Sequence, residues 1–426
     1  MSNGESHEND TVSEGYKKYV LLLLTGVYVF NFIDRQILVI LQESIKSDLN
    51  LSDTQLGLLT GLAFAIFYVT VGLPIARLAD QYNRKKIITV SLGIWSAMTA
   101  LSGMAGNFVQ LLLARIGVGI GEAGGSPPAH SMISDYFPKE KRATALSIYS
   151  MGIYIGILFG YLFGGWLDEF FGWRTALMVV GIPGILYAII FYFSVKEPPR
   201  GLSENRQNEA AKIPTLSEVF SVLWNKKSFR YIALGAGFTA FVQYGVGNWS
   251  PSLLARVHEM SRGEIGTCLS LAAGLGGALG VWLGGYMGDK LGQQDSKWYL
   301  IFPMIMLLIS LPFTVLMLWT DDKMICLGAM AICKICWTTY LAPCIAMSHG
   351  LVGIRMRALA SAILFLVLNL VGLGLGPLVI GAISDTLAET YGNTGLVYAL
   401  HTSIAMILLA IICFWIGSKR IHEDLQ

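Results

Sequence analysis

Charge is what this sequence has least of. Only 14% of its 426 residues are Asp, Glu, Lys or Arg, while 54% are hydrophobic and the mean hydropathy is +0.58; soluble globular proteins carry about 25% charged residues. That scarcity excludes a cytosolic or secreted enzyme. A net charge of +2 excludes a general electrostatic draw toward nucleic acid. The six cysteines lie in or near apolar runs, and Cys333-x-x-Cys336 has no second ligand pair, so no metal or redox centre is expected. No nucleotide-binding loop is present. Gly119-x-Gly121-x-x-Gly124 matches the dinucleotide pattern, but it sits inside an apolar run with no strand before it, where glycines serve close helix contact instead.

What is there is length in apolar runs, each about 20 residues, the number needed to cross a ~30 Å hydrocarbon core as a helix. Twelve such spans read at about 19–42, 54–76, 86–106, 108–132, 143–166, 173–195, 231–253, 263–287, 298–319, 324–348, 358–381 and 395–417. The first run is an uncleaved anchor, since no small-residue cleavage site follows it. With the N-terminus inside, 22 of the 30 lysines and arginines fall on cytoplasmic segments, so both termini are expected in the cytoplasm. The expected architecture is an all-α membrane protein of twelve transmembrane helices in two pseudo-symmetric six-helix bundles. Residues 1–18 form a disordered tail, 19–195 the N-terminal bundle, 196–230 a cytoplasmic linker, 231–417 the C-terminal bundle and 418–426 a second tail. Within the linker, Leu216, Val219, Phe220 and Leu223 share one helical face ahead of Lys226 and Lys227, the pattern of an amphipathic helix at the membrane surface or against the bundle ends. Gly152, Gly156, Gly160 and Gly164 form a small-residue stripe for tight helix packing, placed where the halves could rock.

The halves echo each other. Arg77-Leu78-Ala79-Asp80 and Arg84-Lys85-Lys86 follow span two, and Gly288-Asp289-Lys290 follows span eight. An acid at a helix end with bases behind it can latch neighbouring helices, which makes Arg77, Asp80, Arg84 and Asp289 candidate latch residues. Such internal repetition is common in transporters. The loop resembles the Gly-x-Leu-Ala-Asp-Arg-x-Gly-Arg-Lys motif of the major facilitator superfamily, with departures at Ala76, Gln81 and Asn83, and Arg115-Ile116-Gly117-Val118-Gly119-Ile120-Gly121 is similar to that superfamily's span-four motif. Within it, Asn31-Phe32-Ile33-Asp34-Arg35, Gly119-Ile120-Gly121-Glu122-Ala123, Glu197-Pro198-Pro199-Arg200-Gly201 and Trp249-Ser250-Pro251 resemble spinster-like transporters over nearly the whole chain. The resemblance implies a lipid-like amphiphile, of the sphingoid-phosphate or lysophospholipid kind, as substrate. The absence of long terminal extensions points to a bacterial relative, in the inner membrane.

Four charges lie within N-terminal spans: Asp34, Arg35, Arg115 and Glu122. Each costs about 2.5–3.5 kcal/mol at mid-helix, so they should face a cavity and one another. By helix rise, Asp34 and Arg115 lie about 12 and about 10 Å below the outer ends of their spans and can meet, while Glu122 lies deeper, within reach of Arg35 if that side chain points down. Asn31 belongs to the same stretch. The C-terminal half offers Lys334, with Gln243, Tyr244, Asn248 and Asn369 as polar lining. A charged wall facing a mostly apolar one suits a substrate with a polar, anionic head and a greasy tail. The expected mechanism is secondary active transport by alternating access, driven by a proton gradient through Asp34 and Glu122, with no cofactor and no partner beyond substrate and membrane lipid, as a monomer. Which carboxylate titrates is left open, because burial and a neighbouring arginine act in opposite senses. Other readings are a multidrug or organic-solute carrier of the same superfamily and a non-transporting membrane sensor.

Overall fold

The computed structural model describes residues 13–200, 215–353 and 356–425, without the side chains of Leu73, Asp80, Lys139 and Leu216. Every regular element among the described residues is helical. Eight stretches are long and apolar enough to cross a membrane. Two of these, Glu140–Ser194 and Arg357–Leu425, double back and supply two spans each. The first turns at Gly172, whose φ of +78° no continuing helix tolerates and a side chain would resist. The more polar third span, Arg84–Ser102, and seventh, Lys227–Val257, complete the twelve.

Several boundaries differ from expectation. Span one begins at Glu14, capped by Ser13, so only residues 1–12 of the expected tail lie outside the description. Span seven starts at Lys227 rather than 231, and the last helix continues to Leu425 through the expected second tail. Of the linker, residues 201–214 lie outside the described residues. The linker helix Leu216–Asn225 is present, started by a reciprocal Thr215–Glu218 capping box. It packs Val219 and Leu223 fully into the bundle and leaves Phe220 and Trp224 stacked and exposed, so it serves both the bundle and the surface.

Both described chain ends and the linker helix lie on one face, here the terminal face. The halves are tied to each other at the opposite face. One buried cluster runs from the C-terminal bundle into that end of the N-terminal one, joining Ile37, Leu41 and Ile45 to Trp249, Leu253 and Leu254. A second fills the terminal side of the N-terminal bundle around Leu24, Trp95 and Tyr149.

Two equivalent seams join the halves. In one, span five meets span eight where Gly165 and Gly266 touch backbone to backbone: a Cβ on Gly165 would lie 2.5 Å from the Arg262 carbonyl oxygen. In the other, Gly57 and Gly61 of span two meet Pro377, Leu373 and Gly374 of span eleven just as closely. Spans two, eight and eleven each contain a widened π-helical turn near this contact, at Leu58–Leu62, Ser270–Leu275 and Leu368–Leu375, a helix irregularity that recurs at functional sites. Each seam also carries a carboxylate that caps the partner helix. Asp385 of span eleven accepts from the Asp53 and Thr54 amides at the start of span two (2.9 and 2.7 Å), and Glu169 beyond span five accepts from the Gly263 amide at the start of span eight (2.6 Å). These bonds satisfy helix-start donors that otherwise have no partner. Between the seams, Arg256 bridges Glu43 and Asp53, and Gln42 donates to the Asn248 carbonyl and Ser252. Among the described residues, the hydrogen bonds and ion pairs between halves all lie on this side of the molecule. The stripe Gly152, Gly156, Gly160 and Gly164, by contrast, seats span five on span one inside the N-terminal bundle, away from the surface where the halves meet.

Candidate functional site

Span four is broken after Glu122, where Gly124 and Gly125 precede a new helical start at Ser126–Tyr136. Discontinuous helices of this kind mark substrate sites in many transporters. The break leaves the Glu122 carboxylate fully buried at mid-span, and Arg35 of span one reaches it, with Nε 2.6 Å from Oε2. Asn31, one turn from Arg35, is buried beside the same carboxylate. Arg35 uses only its Nε edge for this pair. Its two terminal nitrogens make no hydrogen bond to a described residue, and the side chain is 14% exposed.

Three rings enclose the guanidinium, with centroids at 5.0 Å for Phe32, 4.8 Å for Phe64 and 4.8 Å for Tyr68. Helical spacing accounts for the cage, since Phe32 and Arg35 are three apart on span one and Phe64 and Tyr68 four apart on span two. Gly119 admits the span-two backbone, as a Cβ there would stand 3.0 Å from the Phe64 carbonyl oxygen. Gly121 does the same for Trp95 of span three. The glycine pattern in span four is thus a packing surface. Tyr244 comes from the other half, lies within the field of Arg35 and packs against both buried clusters.

Asp34 points away from this cage, as neighbours on a helix must. Its carboxylate is buried without a hydrogen bond of ordinary geometry, beside the Trp95 indole and the Thr99 hydroxyl, which are likewise unpaired. Arg115 is buried nearby, at the level expected, and donates to the Asp34 backbone carbonyl at 3.4 Å rather than to the carboxylate. The four charges do gather, as two arginines and two carboxylates with one direct ion pair.

The C-terminal candidates divide. Gln243 accepts from the Tyr340 hydroxyl at 3.4 Å, one residue from Tyr244. Asn248 is not cavity lining: it is buried in the closed end, where its side chain donates to the Thr60 carbonyl and its own carbonyl accepts from Gln42. Asn369 is half-buried on the widened turn of span eleven that faces span two. Lys334 is buried at mid-span ten, with the Trp337 ring 5.9 Å away. At the terminal face, Arg77 is exposed and Asp289 accepts from the Tyr299 hydroxyl at 3.2 Å. The side chain of Asp80 lies outside the described residues. Arg84 is buried and ties span three to span four and the linker, through Ser131 at 2.8 Å, Asp135, Glu197 at 2.8 Å and the Pro198 carbonyl.

Sequence reasoning missed the aromatic cage, the Arg256 bridge and the two capping carboxylates. Ser52-Asp53-Thr54-Gln55, a capping-box pattern ahead of an apolar run, and Asp385, just past the expected end of span eleven at 381, were the available signals.

The major facilitator superfamily model matches residues 24–377. The crystal structure of a bacterial homologue of the human lysosomal transporter Spinster, inward-facing and unoccupied, superposes with a TM-score of 0.89 at 32% identity, covering 97% of this chain and 99% of that one. An MFS-type efflux pump of Mycolicibacterium smegmatis is 35% identical over 95% of this chain and 93% of its own length. Protein spinster homolog 1 of Xenopus laevis is 29% identical over 70% of this chain; the matched region is 58% of that longer protein.

Proposed function

Since this chain belongs to the major facilitator superfamily and is a spinster-like multi-pass membrane transporter rather than an enzyme, we propose that it moves an amphiphilic, lipid-like anion by proton-coupled alternating access. The observation that carries this reading is the Arg35 fork: a mid-span guanidinium holds Glu122 by one edge and keeps its two terminal nitrogens for an incoming phosphate or carboxylate. Arginine suits that task because its planar fork binds such groups in bidentate fashion. Phe32, Phe64 and Tyr68 give the apolar surround that a hydrocarbon tail needs next to the head.

In this reading the terminal face is cytoplasmic, the tied seams lie outside, and the state described is open inward. The anion competes with Glu122 for Arg35. Once displaced, the buried carboxylate takes a proton, because an ionised acid without a partner is costly in a low-dielectric site. Asp34, already without a bonded partner, is the second proton site, and Arg115 holds it in register through its backbone. Protonation relaxes the ties that fix spans one and four to each other, and the halves can then rock about the loaded site. The protein sits in a bacterial inner membrane with both termini inside.

A second reading, a drug or organic-solute exporter, draws on the 35% identical efflux pump and on an aromatic cage that stacks flat solutes. Equilibrium binding of lysophosphatidate, a sphingoid phosphate, a sugar and a cationic drug to the purified protein separates the two. The proposal expects the anionic amphiphiles to bind and Arg35→Gln to abolish that binding. Tight binding of the drug alone, insensitive to Arg35, favours the exporter.

A further inference from the structure

Lys334 has no place in the cycle just described. It stands eleven residues into span ten, which begins at Lys323, about 16 Å down the helix and so near the middle of the membrane. Its residue is 7% exposed, and among the described residues no carboxylate pairs with it and no acceptor bonds its ammonium. The Trp337 ring at 5.9 Å is at the limit of a useful cation–π contact. The residue nevertheless keeps a small exposed surface.

The surrounding backbone makes room for it. A Cβ on Gly247 of span seven would come 2.8 Å from the Lys334 nitrogen, so the ammonium occupies the space that any other residue at 247 would fill. One turn earlier on span seven stand Gln243, bonded to Tyr340, and Tyr244, which lies in the field of Arg35. One stretch of span seven therefore touches the Lys334 ammonium at Gly247 and comes within electrostatic range of Arg35 at Tyr244.

We propose that Lys334 is a second anion-binding point of the transport cavity, and that the transported molecule carries two separate acidic groups, one for Arg35 and one for Lys334. This rests on the anion reading of the Arg35 site. Charge balance supports it. With Glu122 protonated and displaced, Arg35, Arg115 and Lys334 face Asp34 and the substrate, and a monoanion leaves at least one cation uncompensated whether or not Asp34 holds its proton. Gly247 is then a specificity-determining position, which keeps the ammonium at the cavity wall.

The test compares dodecanoate with dodecanedioate, which share a chain and differ in the second carboxylate, by isothermal titration to the purified protein in nanodiscs. The wild type should bind the diacid about tenfold or more tighter, the gain expected of one charge-assisted contact. Lys334→Gln and Lys334→Met should erase that preference, bringing the diacid to the affinity of dodecanoate; the Met variant removes a buried charge and so folds at least as readily. Gly247→Ala keeps the charge but displaces it, and should reduce the preference. Arg35→Gln should weaken both ligands. A wild type that binds dodecanoate through Arg35 with no preference for the diacid overturns this inference and leaves the anion reading intact. A preference that survives Lys334→Gln overturns it as well. If neither acid binds the wild type, the anion reading itself falls.

Discussion

Arg35→Ala exposes the working parts of the site because it removes the fork and strands Glu122 together. The Glu122 side chain is fully buried, and its one direct partner among the described residues is Arg35 at 2.6 Å. Removing one member of a buried ion pair costs about 3–5 kcal/mol, most of it the penalty of an uncompensated charge, so Arg35→Ala should lower the melting temperature measurably. Arg35→Ala with Glu122→Gln removes the stranded charge and should recover most of that loss. It should not recover transport, since the anion would still lack its fork. Arg35→Lys separates charge from shape: the ammonium remains, but one charge-assisted bond worth about 1.5–3 kcal/mol is lost, and uptake per unit protein should fall by roughly tenfold to a hundredfold. The assay is uptake of a labelled anionic amphiphile into proteoliposomes, normalised to folded protein by melting curve. Near wild-type uptake by folded Arg35→Ala, or by the double variant, would reduce the pair to a structural tie and refute the reasoning.

The seams yield two further expectations. Asp385→Asn weakens the cap on span two, where charge-assisted bonds to the Asp53 and Thr54 amides hold the halves together; a loss of about 1.5–3 kcal/mol should shift the population toward the outward-open form, read as at least several-fold faster labelling of a cysteine placed at the buried Ser252. Gly165→Ala places a Cβ 2.5 Å from a backbone oxygen of span eight and should hold that seam apart, seen as a longer spin-label distance across the tied face, whereas Gly72→Ala, with nothing within 4 Å of its Cβ, should leave the distance unchanged.

How much of this was legible in the sequence depends on the range of the interaction. Twelve apolar runs are a local property, and they carried the architecture. Arg35 and Glu122 were legible because a charge in an apolar span is costly wherever the fold puts it, and helix rise placed Glu122 deeper than Arg35 but within reach of a side chain pointing down. The cage was not legible: Phe64 and Tyr68 look like any apolar stripe until span two is laid against span one by Gly119. Asn248 read as lining because its polarity was visible while its rotation about span seven was not. Arg256 read as a loop charge because the helix was expected to end before it. The Glu169 and Asp385 caps act only across the two halves, so no spacing within either half could announce them.

The central claim is that anion movement and proton movement share one site, and the direct measurement is proton flux during substrate flux. Proteoliposomes loaded with an internal pH dye, given an inward gradient of lysophosphatidate and no imposed pH difference, should show a pH change that tracks uptake of the labelled lipid. Asp34→Asn or Glu122→Gln should abolish that change in protein that still folds. Uptake by the wild type with no accompanying pH change, or an unaltered pH change in both variants, would contradict the account.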